Sequence, residues 1–177
     1  MTDVPSPQRD AITTPTPTNA PASGYVTWLL EARRQSSTRN ALRYGGIDAT
    51  ADRAYPYLAR FWEGTPWLKT PLLLHASAAA TFSHIGQANG VSFGHLAKAL
   101  QSRGVIQEET IGARLLAVQT MSLPNAHRLL SGLLHAADSE EIALDWASAW
   151  DTYRWWDQPN RKRRRITRRN LIESFYS

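Results

Sequence analysis

From Ser23 onward, apolar side chains recur every three or four residues along nearly the whole chain. That spacing lines one face of an α-helix. Tyr25, Trp28, Leu29 and Ala32 make the first stripe. Ser36 or Ser37 is placed to cap a second, short helix with Ala41 and Leu42 inward and Gly45-Gly46 at its end. Asp52 is read as the cap of a third, whose buried face is Ala54, Tyr57, Leu58 and Phe61, with Gly64-Thr65-Pro66 as its stop. Thr70 before Pro71 predicts a further helix start, because proline in a first turn gives up no bond the helix would have made. Leu72 to Ile85 is apolar almost all round, which places it centrally.

Gly86-Gln87-Ala88-Asn89-Gly90 is the clearest internal break. Beyond it, Ser92 caps a helix over Phe93 to Arg103, and Gly104 ends it. Glu108-Glu109 open the next at the end where the helix dipole favours acids, with Ile111, Leu115 and Val118 as its stripe. Ser122 with Pro124 starts a helix holding Leu129, Leu130, Leu133 and Leu134. Ser139-Glu140-Glu141 is read as the start of one through Trp146, Trp150 and Tyr153, ended by Pro159. Strand-like alternation is absent. The expectation is an all-α fold of about nine helices in two small bundles, residues 23–88 and 89–177. Residues 1–22 hold five of the ten prolines with many Thr, Ser and Ala, too little apolar surface to offset the entropy of ordering, and read as a disordered tail.

Composition adds exclusions. At 177 residues and 42% hydrophobic content, the chain suits one domain or two small ones. With no cysteine there is no disulfide framework, zinc knuckle or thiol nucleophile, which fits a reducing cytoplasm. No membrane-length apolar run and no signal-peptide layout is present. The five histidines show no ligand spacing: His75, His84 and His95 lie nine and eleven positions apart, and they read as core or surface imidazoles. Phosphate-loop, dinucleotide and nucleophile-elbow motifs are missing, and the paired carboxylates sit at helix starts. No cofactor, metal or catalytic residue is expected.

Charge changes the picture most. Arg161-Lys162-Arg163-Arg164-Arg165-Ile166-Thr167-Arg168-Arg169 carries seven cations in nine residues. From Arg154 to the end the net charge is +6, eight basic against two acidic; the remaining residues net −1, twelve against thirteen. Such a local field selects a polyanion. A solvated helix face is the plain alternative. Against it stand the mutual repulsion of the run, its flanking acids limited to Asp157 and Glu173, and its apolar anchor Leu171, Ile172 and Phe175. The use of arginine, whose planar fork grips phosphate and stacks on bases, points the same way. Arg161, Arg165 and Arg168 fall along one helix face. The expected mode is sequence-independent tracking of a phosphate backbone. Of the aromatic cluster, Trp146, Trp150 and Tyr153 share a core stripe, leaving Trp155 or Trp156 partly exposed. Arg39, Arg43, Arg60, Arg114 and Arg128 are further candidates for the basic path. A helix-turn-helix duplex reader over Phe93 to Leu116 is a rival, but its recognition helix opens on Gln107-Glu108-Glu109, two negative charges where phosphates would lie.

The order of these features resembles a known family. Trp28-Leu29-Leu30 is followed by Ser37-Thr38-Arg39-Asn40-Ala41-Leu42-Arg43-Tyr44-Gly45-Gly46, then Ala54-Tyr55-Pro56-Tyr57-Leu58-Ala59-Arg60-Phe61. Gly90-Val91-Ser92-Phe93-Gly94, Ala113-Arg114-Leu115, His127-Arg128-Leu129-Leu130, Leu144-Asp145-Trp146, Trp155-Trp156 and the basic helix ending Phe175-Tyr176 come after. Over residues 24–177 the chain is similar to the small subunit, the CasB family, of the type I-E CRISPR Cascade surveillance complex. The resemblance implies two helical bundles without catalytic activity. It implies a subunit present beside a second copy of itself, touching the Cascade backbone subunits that hold the guide RNA and the large subunit. It implies a basic face that holds target DNA and the displaced strand and so stabilises the R-loop, with Arg39, Arg43, Arg114, Arg128 and the C-terminal cluster facing nucleic acid. Tyr44 and His135 depart from the pattern at usually basic positions.

Overall fold

The helical spacing is realised in nine α-helices among residues 22–177, the part described by the computed structural model: α1 Ala22–Ala32, α2 Ser36–Arg43, α3 Tyr55–Trp62, α4 Lys69–Thr81, α5 Phe93–Ser102, α6 Glu108–Val118, α7 Leu123–Ser139, α8 Trp146–Trp155 and α9 Arg161–Tyr176. The expected tail falls on residues outside that range, except Ala22, which is the first residue of α1. No strand forms among the described residues; one isolated bridge joins Gln87 and Leu144.

The axis of the fold is α4. Pro71 to Ala80 are all buried, because α1, α2, α3, α7 and α8 pack around the helix. The alanines and serine of its second half let those neighbours approach closely. His75, fully buried, joins three helices: its Nε2 lies 3.2 Å from the Trp146 carbonyl and its Nδ1 3.1 Å from the Tyr25 hydroxyl. A carbonyl only accepts, so Nε2 carries the proton and Nδ1 accepts from tyrosine. Arg33, also buried, donates to the carbonyls of Ala79 at 3.3 Å and Ile85 at 2.8 Å and stacks over Trp146 at 5.1 Å. It thereby satisfies an orphan carbonyl at the end of α4 and places a cation where the helix dipole favours one.

The most extensive helix pair is α5 with α9. Gly94 makes it possible: a Cβ there would run into Ser174 Oγ, the Leu171 carbonyl and, at 2.9 Å, the Phe175 nitrogen. Leu171 and Phe175 are buried, and Ser92, the cap of α5, donates to Ser174 Oγ at 3.1 Å. The terminal helix is therefore docked by its last turns. The buried side chains before and after residue 89 belong to one contiguous cluster.

Two expected starts fall elsewhere. Asp52 lies inside a 3-10 helix, Asp48–Ala54, and α3 begins only at Tyr55, with Pro56 in its first turn. Ser139 ends α7 rather than opening α8. Glu141 takes a left-handed φ of 54°, and residues 142–144 turn back along the Gly86–Gly90 break, with Leu144 N donating to Gly86 O at 3.1 Å and Ala88 N to Leu144 O at 3.0 Å. The cap of α8 is Asp145, whose Oδ1 accepts from Ala147 N at 3.0 Å and Ser148 N at 3.2 Å. Its Oδ2 accepts from Gly90 N at 2.8 Å. Burial pushes this carboxyl up, but hydrogen bonds from Gly90, Gln87, Ser148 and Ala147 outweigh it and hold the group below its ordinary value.

Candidate nucleic-acid interface

Helix α9 starts against electrostatic advice. Its first turns carry Arg161 to Arg165 with no acid, at the end where the backbone dipole is already positive. Asn160 closes that end, its Oδ1 accepting from Lys162 N at 3.1 Å and Arg163 N at 3.2 Å. The cations and the dipole thus point one field outward, an arrangement that costs stability in the isolated chain and is relieved by a bound anion.

The seven cations of the run do not share one role. Arg168 is turned into the fold: its guanidinium donates to the carbonyls of Trp156, Met121 and Gln119 and pairs with Asp157 at 3.0 Å, its side chain 17% exposed. Arg164 donates to the Gln158 carbonyl at 3.2 Å. Arg169 forms an exposed pair with Glu173 at 3.1 Å. Arg163 is exposed, with its guanidinium carbon over the Trp155 ring at 4.4 Å from the centroid. Arg161, Lys162 and Arg165 are exposed and make no hydrogen bond or ion pair among the described residues. Of Trp155 and Trp156, the second is fully buried and the first half-buried.

The run splits around the helix into two grooves. One, about 810 Å³, is walled by Arg161, Lys162, Arg164, Arg165, Arg168, Arg169 and Ile172 against Gln119 beyond the end of α6, so Lys162 borders both. The other, about 640 Å³, lies between α9, α8 and the start of α5, and Lys162, Arg163, Asp151 and Trp155 are among its lining.

The scattered arginines differ likewise. Arg43, Arg114 and Arg128 are exposed and unpaired among the described residues. Arg39 is half-buried and donates to the Arg33 carbonyl at 3.4 Å. Arg60 is exposed and lies over Trp28 at 5.0 Å and Phe61 at 4.7 Å. Arg43 is connected toward α9 by a run of contacts. Its carbonyl accepts from Ser77 Oγ at 2.8 Å, and Gly46 faces Ser77 and His127, the neighbour of Arg128 on α7. The first amide of α7, Leu123 N, donates to Asp157 Oδ2 at 2.6 Å, and Asp157 in turn holds Arg168. Arg114 sits on α6, which packs directly on α9. At the departing position Tyr44, the ring carries the Arg53 guanidinium at 4.4 Å, so a cation stands there by another route. His135 is exposed.

His75, His95 and His127 are hydrogen-bonded within the fold. His75 and His127 are pushed down by burial to about 3 and about 4, and His84 lies exposed in the turn after α4 rather than on it. Among the described residues no cluster of three His, Asp, Glu or Cys is arranged to hold a metal, and no helix is long and apolar enough to cross a membrane. Glu108 and Glu109 are exposed at the start of α6.

The fold and site define an all-α protein with a docked, outward-charged terminal helix. The chain belongs to the CRISPR-associated protein Cse2 family, whose sequence model matches residues 38–176. Among solved structures, it is similar to a Cse2-family CRISPR-associated protein from Thermus thermophilus at 17% identity and a TM-score of 0.69, covering 89% of this chain and 98% of that one. It is also similar to a chain of a CRISPR RNA-guided surveillance complex at 17% identity and TM-score 0.68, covering 88% and 91%, and to CasB from Thermus thermophilus at 20% and 0.62, covering 89% and 98%. No curated protein sequence matches.

Proposed function

We propose that this chain is a non-catalytic subunit of an RNA-guided CRISPR interference complex that binds nucleic-acid backbone without sequence preference. In that role it stabilises the R-loop between guide RNA and target DNA and holds the displaced strand. Family membership supports the complex. The single observation that carries the binding is the exposed set Arg161, Lys162 and Arg165, unpaired on a helix whose dipole adds to their field. Its partners in this reading are the Cascade backbone and large subunits, the target and displaced strands, and a second copy of the chain. R-loop formation is a nearly balanced strand exchange, so a few non-specific phosphate contacts tip it. Arg43, Arg128 and Arg114 extend the path along α2, α7 and α6; Arg39 and Arg60 are secondary to it, since each is already engaged within the fold. The test is R-loop formation by the reconstituted complex carrying Arg161→Gln with Arg165→Gln. The variant is expected to lower R-loop yield while assembling normally; full yield would refute the assignment.

A further inference from the structure

The groove of about 640 Å³ between α8, α9 and the start of α5 is a poor place for a phosphate and a good one for a base. Phosphate is attracted by Lys162 and Arg163, both exposed in the groove's lining. It is repelled by Asp151, an exposed carboxylate that lines the same groove and makes no hydrogen bond or ion pair with any described residue. Burial raises this carboxyl, and Arg154 pulls it back. A carboxylate so placed asks for a neutral N–H donor. The groove also supplies a planar cation beside an aromatic ring. The Arg163 guanidinium rests on the Trp155 ring at 4.4 Å, with Arg154 held on the same ring at 4.5 Å. Arginine planes held in this way stack unpaired bases. Ile166, 37% exposed, adds an apolar edge.

We infer that this groove is a subsite for one unstacked nucleobase of a single strand, stacked on Arg163 and read through its exocyclic amino group by Asp151, with the flanking phosphate on Lys162. The assignment rests on the backbone-binding reading above; the phosphate contacts stay indifferent to sequence, and one position gains a modest base preference. Cytosine offers its exocyclic N4 amino group to a carboxylate, whereas thymine has a carbonyl at that position and its one ring N–H lies between two carbonyls that the carboxylate repels. The two pyrimidines offer rings of similar size to Arg163 and differ on the edge that Asp151 meets, so their comparison tests that contact.

The experiment measures affinity of the full chain at neutral pH for oligo-dC and oligo-dT of equal length. Oligo-dC is expected to bind about fivefold more tightly. Asp151→Asn, an exposed and isosteric change, should abolish the preference, since an amide both donates and accepts. On the ligand side, cytosines carrying two N4 methyl groups should lose the advantage against the unaltered protein. Equal binding of the two oligomers, or a preference that survives Asp151→Asn, overturns the subsite and leaves the phosphate reading to the salt dependence of both oligomers. If neither oligomer binds, both readings fall.

Discussion

Arg168 and Asp157 meet at 3.0 Å, and through them the most basic helix of the protein is fastened to three others. The second oxygen of Asp157 takes the first amide of α7, while the same guanidinium closes the carbonyls of Gln119, Met121 and Trp156 at the ends of α6 and α8. One cation of the basic run is thus spent on positioning the rest. Its charge belongs to the fold.

Arg168→Met is accordingly expected to destabilise by about 2 kcal/mol, because it leaves several carbonyls and a carboxylate without their charged donor. For a chain of this size that lowers Tm by about 4–8 °C. Thermal melting followed by circular dichroism checks it. Arg161→Gln and Arg165→Gln, in the same run, are expected to shift Tm by no more than about 1 °C. Equal effects at all three positions would remove the distinction between structural and outward cations.

Gly94→Ala tests how α9 is seated. The new methyl meets backbone of α9 at Leu171 and Phe175, which no rotamer relieves. A loss of about 1–3 kcal/mol is expected, as for an overpacked core site. Amide exchange localises it: protection should fall in α9 before it falls in α4. Uniform loss across both helices would show that α9 is not a separable layer.

Acid should weaken the fold through its buried imidazoles. His75 is held near 3 and His127 near 4, mainly by burial, against an ordinary 6.5. The folded state therefore stays neutral where the unfolded state takes up protons. Stability is full above about 6.5 and falls as pH drops toward the folded values, by up to ~1.4 kcal/mol per pH unit for each site. His75→Gln keeps a donor for the Trp146 carbonyl and cannot titrate. Its Tm is lower at neutral pH, but it should decline less steeply with acidification than the parent. Parallel profiles would show that His75 is not among the titrating groups.

Much of this was legible in the chain because local chemistry and tertiary structure agree. Ser92 caps α5 as its position predicts, Gly104 ends that helix's run with φ 73°, and the all-round apolar stretch is the buried α4. Where the reading slipped, a distant partner decided. Asp145 outranks Ser139 as the start of α8 because Gly90 and Gln87, more than fifty positions away, share its carboxylate. Likewise helix spacing puts Arg161, Arg165 and Arg168 on one face, but not that Arg168 finds carbonyls beneath it. Asp151 and Trp155 gave no signal as a groove, since that needs α5 and α9 packed together. The flanking acid Asp157 was visible, and its task at the corner was not.

The central claim is that exposed cations on α9 neutralise backbone phosphates, and the salt dependence of single-strand binding measures it most directly. Log affinity should fall linearly with log salt, by roughly 0.7 per phosphate neutralised. Arg161→Gln with Arg165→Gln should flatten that slope by about 1.4 while the fold melts unchanged. Binding that ignores salt, or a slope that the double variant leaves intact, would contradict the account.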